Sequence, residues 1–469
     1  MLSLWAGTII LLSYILVRGL VSPLSQLPGP WYTRFTSLWI KYQEFSSNRR
    51  ESIHLLHQLY GPVVRLGPNE VSFTSLGAMK EIYASGGSGY DKTELYSLFK
   101  QFKTRAMFST LFKDEHTKRK RIFAERYAMS NIMKAKSLAV IQERAMEFVA
   151  RCDGPNKKSV DVYVLLHCYA LDCITHFIFS PGGLNSLDNT KDFELMKELT
   201  YHQSLHESLL AYYLPLLEPY FPSSSNACST PQANQYALDM VNKSNLDDFT
   251  LLEKLNRKDT GLDSLQAAAE CKDHMAAGTG TTGDGLCFMM WELSQPHNLE
   301  FQRRLHHELI TSPTDVSLDS LVYLDAVIKE ALRCSPPIAM SLPRYVPFGG
   351  RIIDKIFIPA HTIVSCQPYT VHRLHKDVFP DPDRFYPDRW LEAEGSKERN
   401  RHFFAFSIGG RGCMGKNLAL IEMRILLREV YSRFETTVAP DMRGSMKLDD
   451  QIISARPKGQ ECKLVFKVV

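Results

Sequence analysis

The residues with the clearest chemical potential lie in a glycine-rich loop near the C-terminus, where residues 406–415 read FSIGGRGCMG. Cys413 follows Phe406 by seven positions and Arg411 by two, and an apolar pattern with helical spacing begins directly after the loop. Glycines let a backbone approach a flat ligand closely. Backbone N–H groups at a helix start stabilise a thiolate. The loop therefore predicts a cysteine ligand for iron, with an aromatic shield and a cation for an anionic substituent.

Taken singly, these residues have ordinary explanations, because a free cysteine is usually a small buried side chain and a glycine cluster usually forms a turn or a phosphate cradle. Taken together, the spacing F-x-x-G-x-R-x-C-x-G resembles the haem-binding loop of the cytochrome P450 family. The resemblance implies that Cys413 is the axial ligand of the iron in haem b. It also implies that Phe406 shields one face and that Arg411 pairs with a haem propionate.

The N-terminal segment has the length and apolarity of a membrane anchor. Residues 1–17 carry no charged side chain, and residues 19–21 extend the apolar run to the roughly 20 residues that a bilayer requires. The segment lacks the basic start and cleavage site of a secretory signal, and basic residues follow it, which favours a cytosolic domain. We predict a single-pass signal anchor over residues 1–21 in the endoplasmic reticulum membrane, followed by a proline-rich hinge over residues 22–30.

The remaining residues, 31–469, read as one catalytic domain. The length of 469 residues suggests about three domains at ~150 residues each, but no segment after residue 30 has the composition of a linker. Helical patterns dominate, and short strand patterns occur near residues 63–73 and 344–364. We predict a mainly α fold with small β-sheets, which is also the fold that the resemblance implies. The net charge of +4 gives no reason to expect a nucleic-acid partner. The scattered cysteines indicate neither a zinc ribbon nor a disulfide framework.

A long helix predicted over about residues 264–294 contains an unusual cluster of glycines. Four glycines occur between positions 278 and 285, and each costs about 1 kcal/mol relative to alanine in a helix interior. A helix tolerates this cost where a flat group lies against it or where its hydrogen-bond ladder opens. Close packing against another helix is the alternative explanation.

This helix resembles the oxygen-activating helix of the same family, whose pattern is [AG]-G-x-[DE]-T-[TS]. The resemblance implies that Gly278 lies against the haem, and that Thr281 hydrogen-bonds dioxygen and helps to route protons. The sequence departs from the pattern at Gly280, where the family has an acid. Asp284 follows one helical turn later and is either a substitute for that acid or a salt-bridge partner outside the site.

Two further motifs predict a structural clamp behind the haem. Glu330 and Arg333 resemble the E-x-x-R motif of the family, in which a later arginine completes a buried triad. We assign that arginine to Arg384 in the segment 382–385 (PDRF), which is followed by a second such segment at 387–390 (PDRW). Such a clamp holds the cysteine loop in place and takes no part in bond chemistry.

Cations elsewhere in the chain are predicted to pair with the haem propionates. Arg344, in the segment 343–347 (PRYVP), matches a family position with this role. Lys120 lies four residues after His116, a spacing typical of a basic propionate ligand, although arginine is commoner there. A solvated basic helix face is the alternative for Lys120. The His372-Arg373 step is predicted only to pack.

No nucleotide-binding fingerprint is evident, so electrons have to come from a separate protein. The resemblance implies NADPH–cytochrome P450 reductase, with cytochrome b5 as a second candidate donor. The predicted function is the oxidation of a lipophilic small molecule with O2, of the kind found in fungal secondary metabolism. Because Gly280 replaces the acid, a haem-thiolate isomerase, dehydratase or oxidative cyclase stays open as an alternative. A haem sensor without catalysis is disfavoured by the completeness of the other motifs.

Overall fold

The computed structural model describes residues 2–153, 159–201, 206–214, 216, 230–313 and 316–469. These residues form eighteen α-helices and twelve short strands in one domain, which confirms the predicted mainly α fold with small sheets. The helices are α1 (Leu2–Val21), α2 (Leu38–Phe45), α3 (Arg49–Tyr60), α4 (Leu76–Ala84), α5 (Lys113–Phe123), α6 (Met129–Ile132), α7 (Ala135–Cys152), α8 (Val162–Phe179), α9 (Thr190–Thr200), α10 (His206–Tyr213), α11 (Pro231–Val241), α12 (Leu251–Leu255), α13 (Ser264–Leu293), α14 (Leu299–Thr311), α15 (Val322–Cys334), α16 (Pro368–Leu374), α17 (Ser396–His402) and α18 (Lys416–Tyr431).

The strands form four small sheets. They are β1 (Val63–Gly67), β2 (Glu70–Phe73), β3 (Asp91–Lys92), β4 (Val160–Asp161), β5 (Arg344–Tyr345), β6 (Arg351–Ile353), β7 (Ile356–Ile358), β8 (Ile363–Cys366), β9 (Phe434–Val438), β10 (Leu448–Asp450), β11 (Ala455–Pro457) and β12 (Lys463–Val468). The largest sheet has the order β1-β2-β8-β5-β3, with β2 and β8 parallel. In this sheet Lys92 of β3 lies directly opposite Arg344 of β5.

Helix α13 is the central element of the core. It begins with a capping box, in which the Asp263 carboxylate accepts from the Gln266 N–H while the Gln266 side chain accepts from the Asp263 N–H. Two glycines let α8 approach it closely. A Cβ added at Gly278 would lie 2.6 Å from Ile174, and one added at Gly283 would lie 2.8 Å from the ring of His167. Helix α18 packs against α7, α13 and α15 and completes the bundle.

The N-terminal helix α1 is apolar, and side chains such as Trp5, Ile9 and Ile10 are exposed. Within the described residues, one helix is long and apolar enough to cross a membrane, and it is α8, whose window is 83% buried in the core. The described part of α1, Trp5–Val21, is a shorter apolar helix. The membrane anchor over residues 1–21 therefore stays a prediction.

The segment after α1 is docked on the domain. Arg65, which is buried, donates hydrogen bonds to the carbonyl oxygens of Leu24 at 2.9 Å, Ser25 at 3.0 Å and Leu27 at 2.8 Å. The Leu24 and Leu27 side chains are buried in the apolar cluster of the largest sheet. Most of the predicted hinge over residues 22–30 is thus fixed to the catalytic domain in this structure.

Candidate active site

The cysteine loop is held by its own backbone and by the segment around residue 85. The Cys413 N–H donates to the Phe406 carbonyl at 2.9 Å, and the Gly410 N–H donates to the Gly87 carbonyl at 2.6 Å. Gly409 has a φ of +73°, and a Cβ there would lie 2.2 Å from the Tyr83 carbonyl oxygen. Glycine is therefore required at this position, both by its dihedral angle and by the close approach of another segment.

Cys413 is accessible, whereas the other cysteines in the described parts of the chain are buried and form no disulfide. The surrounding protein raises the pKa of its thiol, because the thiolate is poorly solvated there. Four groups oppose this shift and favour the thiolate: the N–H groups of Gly415 and Lys416 at the start of α18, and the ammonium groups of Lys120 and Lys416. The sulfur therefore lies in a low-polarity site whose nearest polar groups stabilise negative charge, as a thiolate ligand requires.

Helices α13 and α18 pack together beyond the cysteine loop. They meet where Gly285 and Thr282 lie against Met423 and Glu422. Helix α18 begins at Lys416, three residues after Cys413. Near the middle of α13, Ala276 and Ala277 are accessible although most of this helix is buried.

A cluster of largely buried basic side chains lies beside the cysteine loop. It contains Lys92, His116, Lys120, Arg344 and Arg411, from four separate segments of the chain. Burial and mutual repulsion lower the pKa of His116 to about 2, lower that of Arg411 to about 10, and lower that of Lys92 well below its usual range. The described acids that act on these side chains are fewer than the basic groups: Asp91, which accepts from Arg411 at 3.2 Å, together with Asp114 and Asp273. The cluster is therefore short of negative charge.

Two buried nitrogen atoms in this cluster lack hydrogen-bond acceptors. The Arg411 Nε and the His116 Nδ1 are buried without a hydrogen-bond partner. Lys120 donates to the carbonyl oxygens of Gly410 at 2.9 Å and Gly412 at 3.2 Å, so it contacts the cysteine loop itself. Arg344 donates to the Tyr96 hydroxyl at 2.6 Å. A macrocycle that carries two carboxylates fits this arrangement, with the iron at Cys413 and the propionates among the cations.

The predicted distal residues of α13 differ in what they face. The Thr281 hydroxyl lies one turn after Ala277 and donates to its carbonyl oxygen at 2.7 Å. A Cβ added at Gly280 would meet no atom within 4 Å, so this position borders open space. The prediction that Gly278 contacts the cofactor is not supported, because the position of its missing side chain is filled by Ile174 of α8. Gly278 is explained by helix packing, the alternative considered above.

The clamp forms as predicted for two of its three members. The buried Glu330 carboxylate accepts hydrogen bonds from Arg333 Nε and Nη2 at 2.9 and 2.8 Å, and its pKa is lowered by Arg333. It also accepts from the Tyr386 N–H at 2.9 Å and from the Trp390 indole at 2.9 Å. The third guanidinium is that of Arg389, whose Nε lies 3.0 Å from the carboxylate.

The assignment of the third arginine to Arg384 was wrong. The Arg384 side chain is exposed and lies over the Tyr386 ring at 5.1 Å, and only its backbone carbonyl takes part, by accepting from Arg333 at 3.2 Å. Arg389 lies in a short 3-10 turn, Pro387–Trp390, that packs directly on α15. This turn points the guanidinium and the neighbouring indole at Glu330, so the second of the two PDR segments forms the clamp.

His372 connects the clamp to the cysteine loop, a role that the sequence did not suggest. Its Nδ1 lies 3.1 Å from the Arg333 carbonyl, and its Nε2 accepts from the Phe404 N–H at 2.8 Å. These contacts assign the proton to Nδ1. Burial and neighbouring arginines lower the pKa of His372 well below its usual range, so the ring stays neutral. Phe403 stacks on this ring at 5.9 Å, and the chain then continues to Phe406.

Glu422 is a second residue that sequence reasoning missed. Its carboxyl group is buried between α13 and α18, where it contacts Thr282, and its Oε1 has no hydrogen-bond partner. Burial raises the pKa of Glu422 to about 8. A neutral carboxylic acid therefore joins the two helices where they meet. The only available signal was its place in the helical pattern after Cys413, which does not reveal burial.

Comparison with known proteins gives the same class as the site. The family model for cytochrome P450 matches residues 26–464. The chain is 29% identical to cytochrome P450 monooxygenase FCK2 of Fusarium pseudograminearum, over 93% of this chain and 83% of that protein. It is 28% identical to cytochrome P450 monooxygenase stcB of Emericella nidulans, over 95% and 89% respectively. It is 27% identical to benzoate 4-monooxygenase bphA of Aspergillus niger, over 92% and 91%.

The fold, the cysteine site and these matches agree, and the chain belongs to the cytochrome P450 family. The predicted enzyme class, a P450 monooxygenase with fungal relatives, is thereby confirmed. Membership implies a haem cofactor and electrons from a reductase partner.

Proposed function

We propose that this protein is a haem-thiolate monooxygenase of the endoplasmic reticulum membrane that oxidises a lipophilic small molecule of fungal secondary metabolism. It takes up O2 and receives electrons from NADPH through cytochrome P450 reductase. The observation that carries the proposal is an accessible cysteine whose loop contacts Lys120, one of a cluster of basic side chains that is short of negative charge.

The proximal residues are proposed to hold the cofactor and tune its sulfur ligand. Cys413 supplies the axial thiolate, and the N–H groups of Gly415 and Lys416 stabilise its charge. Arg344 and Arg411, together with Lys120, hold the propionates. When bound, the haem supplies the chemistry of O2 activation, which a thiolate ligand favours by pushing electron density onto the iron. The half-buried Phe406 ring limits access of water to this side.

The distal residues are proposed to leave room for substrate and to manage protons. Ala276, Ala277 and Gly280 present almost no side-chain bulk to the space in front of Cys413. The Thr281 hydroxyl borders the same stretch of α13, where it can exchange its hydrogen bond to the Ala277 carbonyl for one to dioxygen or to water.

Apolar side chains support a lipophilic substrate. Leu209 of α10 packs with Ile452 and Ile453 of the β10–β11 turn, and aromatic residues of the segment after β3 pack against them, including Phe99 and Phe108. The two rings are 5.3 Å apart and nearly perpendicular. We propose this segment, near residues 85–110, as one specificity region and the part near residues 195–225 as another; of the latter, residues 202–205, 215 and 217–225 lie outside the described residues. Among the relatives, one is named for benzoate and another, from Fusarium vanettenii, for pisatin; both names are consistent with an aromatic substrate.

Exposed cations beside the cysteine loop support a separate electron donor. Lys118 and Arg121 of α5 are exposed, as is Lys416, whose Nζ lies 5.8 Å from the Phe406 ring centroid. A basic surface near the sulfur suits an acidic partner, since complementary charge steers association. The reductase is the proposed main partner, and cytochrome b5 would use the same surface. The apolar helix α1 is proposed as the anchor that keeps this surface at the cytosolic face of the membrane.

A carbon monoxide difference spectrum of the reduced, haem-loaded protein tests the proposal. A band near ~450 nm is expected, because this position reports thiolate ligation. Cys413→Ser is expected to abolish the band, whereas Cys366→Ser, at a buried cysteine in β8, should retain it. A wild-type protein that binds haem without this band would refute the proposed ligation.

The open space at Gly280 favours one alternative function. Without an acid at this position, the enzyme could be a haem-thiolate isomerase or dehydratase, whose redox-neutral reactions need no external electrons. The discriminating measurement is product formation from the physiological precursor with NADPH and reductase omitted. Turnover under those conditions would replace the monooxygenase assignment, and dependence on both components would exclude this alternative.

A further inference from the structure

Gly280 leaves a gap on the distal helix, and a buried carboxylate lies beside that gap. Asp284 follows Gly280 by four residues, so its side chain leaves α13 on nearly the same face and about 6 Å further along the axis. Ala276 and Ala277 are accessible on this face. Asp284 thus stands at the edge of the space that the missing acid would have faced.

The Asp284 carboxylate has an unusual environment. Its Oδ1 is buried and has no hydrogen-bond partner, whereas the side chain as a whole keeps 11% of its exposure. Because Oδ1 itself is buried, this exposed fraction comes from the other atoms of the Asp284 side chain. A buried polar atom without a partner is costly, by about 1–3 kcal/mol, and such atoms cluster at sites with a chemical task.

The ring of His167 lies beside this unpartnered oxygen. The His167 Nδ1 lies 2.7 Å from the Tyr163 carbonyl, and a carbonyl accepts only, so this nitrogen carries a proton. The other nitrogen, Nε2, lies 3.5 Å from Asp284 Oδ1. Gly283 provides the space for the ring, since a Cβ there would lie 2.8 Å from it. The other charged or titratable groups around the pair are Tyr163 of α8, Tyr201, Cys287 of α13 and Arg456 of β11.

We propose that Asp284, positioned by His167, takes over proton delivery from the acid that Gly280 lacks. This inference rests on the proposed monooxygenase function. The Asp284 carboxyl group passes a proton to a water beside Gly280, from which a proton reaches the Thr281 hydroxyl and dioxygen. Water from the same space then returns a proton to the Asp284 carboxylate, which lies 3.5 Å from His167 Nε2. Substrate oxidation consumes one O2, two electrons and two protons, and it releases one water.

The test needs no organic substrate, because O2 alone is the probe. Reduction of O2 to hydrogen peroxide takes two electrons and two protons, whereas reduction to water takes four of each. Haem-loaded protein is supplied with NADPH and reductase, and the peroxide formed per NADPH consumed is measured. Asp284→Asn is expected to raise this fraction at least about threefold, since loss of a general acid slows proton transfer by about 10²-fold or more. Adding Gly280→Asp to that variant is expected to restore the fraction.

The matched control is Asp273→Asn, at a second buried carboxyl group on the same helix face, seven residues before Gly280. It should leave the peroxide fraction unchanged. A spectroscopic readout accompanies the assay: the infrared C–O stretch of the reduced carbon monoxide complex should shift in Asp284→Asn and not in Asp273→Asn. An unchanged peroxide fraction in folded Asp284→Asn protein would overturn the inference.

Gly280→Asp alone is a second test for the case in which Asp284→Asn does not fold. Open space surrounds position 280, so this substitution should be tolerated. If Asp284 already supplies protons, this single variant changes the peroxide fraction by less than about twofold. A severalfold fall would show that the position lacks a working acid and would refute the role of Asp284. Loss of the band near ~450 nm in the wild type would instead refute the proposed function, so the two failures are distinguishable.

Discussion

Replacement of Arg389 by alanine tests the clamp behind the cysteine loop. The variant removes the contact of Arg389 Nε with Glu330 at 3.0 Å and a second hydrogen bond, from Nη1 to the Pro380 carbonyl, at 2.8 Å. Loss of one partner from a buried ion pair costs about 3–5 kcal/mol. Because Glu330 keeps Arg333, the Trp390 indole and a backbone N–H, we expect the lower end, about 3 kcal/mol.

The control is the neighbouring arginine of the same sequence pattern. Arg384→Ala removes an exposed guanidinium and leaves the backbone carbonyl that Arg333 uses. The expected cost is within about 0.5 kcal/mol, which is usual for a surface substitution. Comparison of Arg389→Ala with Arg384→Ala therefore shows whether stability depends on the buried arginine at position 389 or on any arginine in this region.

The assay is haem retention and thermal unfolding of the purified proteins. For 469 residues, the entropy of unfolding near the midpoint is about 1 kcal/mol per kelvin, so 3 kcal/mol lowers Tm by about 3 °C in Arg389→Ala. Displacement of the loop should also reduce the band near ~450 nm per mole of protein. Equal losses in the two variants, or a larger loss in Arg384→Ala, would refute the assignment of Arg389 to the clamp.

Three further predictions follow from packing and charge. Gly278→Ala should destabilise the fold by about 1–3 kcal/mol, because its Cβ would meet Ile174 at 2.6 Å. Gly280→Ala, whose Cβ would meet no atom within 4 Å, should instead stabilise α13 by up to about 1 kcal/mol. Denaturant unfolding measures both changes, and equal effects of the two variants would contradict this reasoning. Because burial raises the pKa of Glu422 to about 8 from 4.5, folded protein holds a proton that the unfolded chain releases, and stability should fall between about pH 5 and 8. Glu422→Gln should flatten that fall, and an unchanged pH profile would show that the acid is ionised in the folded state. His372→Phe should lower the free energy of unfolding by about 2–3 kcal/mol and reduce haem retention, because it leaves the Arg333 carbonyl and the Phe404 N–H without their partner. A variant that retains its full complement of haem would exclude the role of His372 as a link between the clamp and the cysteine loop.

The sequence predicted the cysteine loop and the Glu330–Arg333 pair, because their chemistry depends on local spacing. It could not choose between Arg384 and Arg389, which lie in two similar segments five residues apart. The choice depends on which segment forms the turn that packs against α15, and this is a tertiary contact. A residue pattern alone carries no information about which of two adjacent guanidinium groups becomes buried.

The glycines of α13 show a related limit. From sequence, all four were explained equally well by a flat ligand or by helix packing. In the structure Gly278, Gly283 and Gly285 face Ile174, His167 and Met423, and only Gly280 faces open space. The difference depends on the rotation of the helix relative to α8 and α18, which periodicity does not fix when several faces are buried.

The register of β3 and β5 ties the fold to its expected ligand. Lys92 and Arg344 lie directly opposite each other in a buried antiparallel pair, an arrangement of like charges that destabilises a sheet. Arg411 and Lys120 add to the repulsion of Lys92 from two other segments. A sheet edge of this kind gains stability when a dianionic ligand binds to the folded state alone. Binding of haem and closure of this edge are therefore coupled, and the cations that fix the propionates also make the folded domain depend on them.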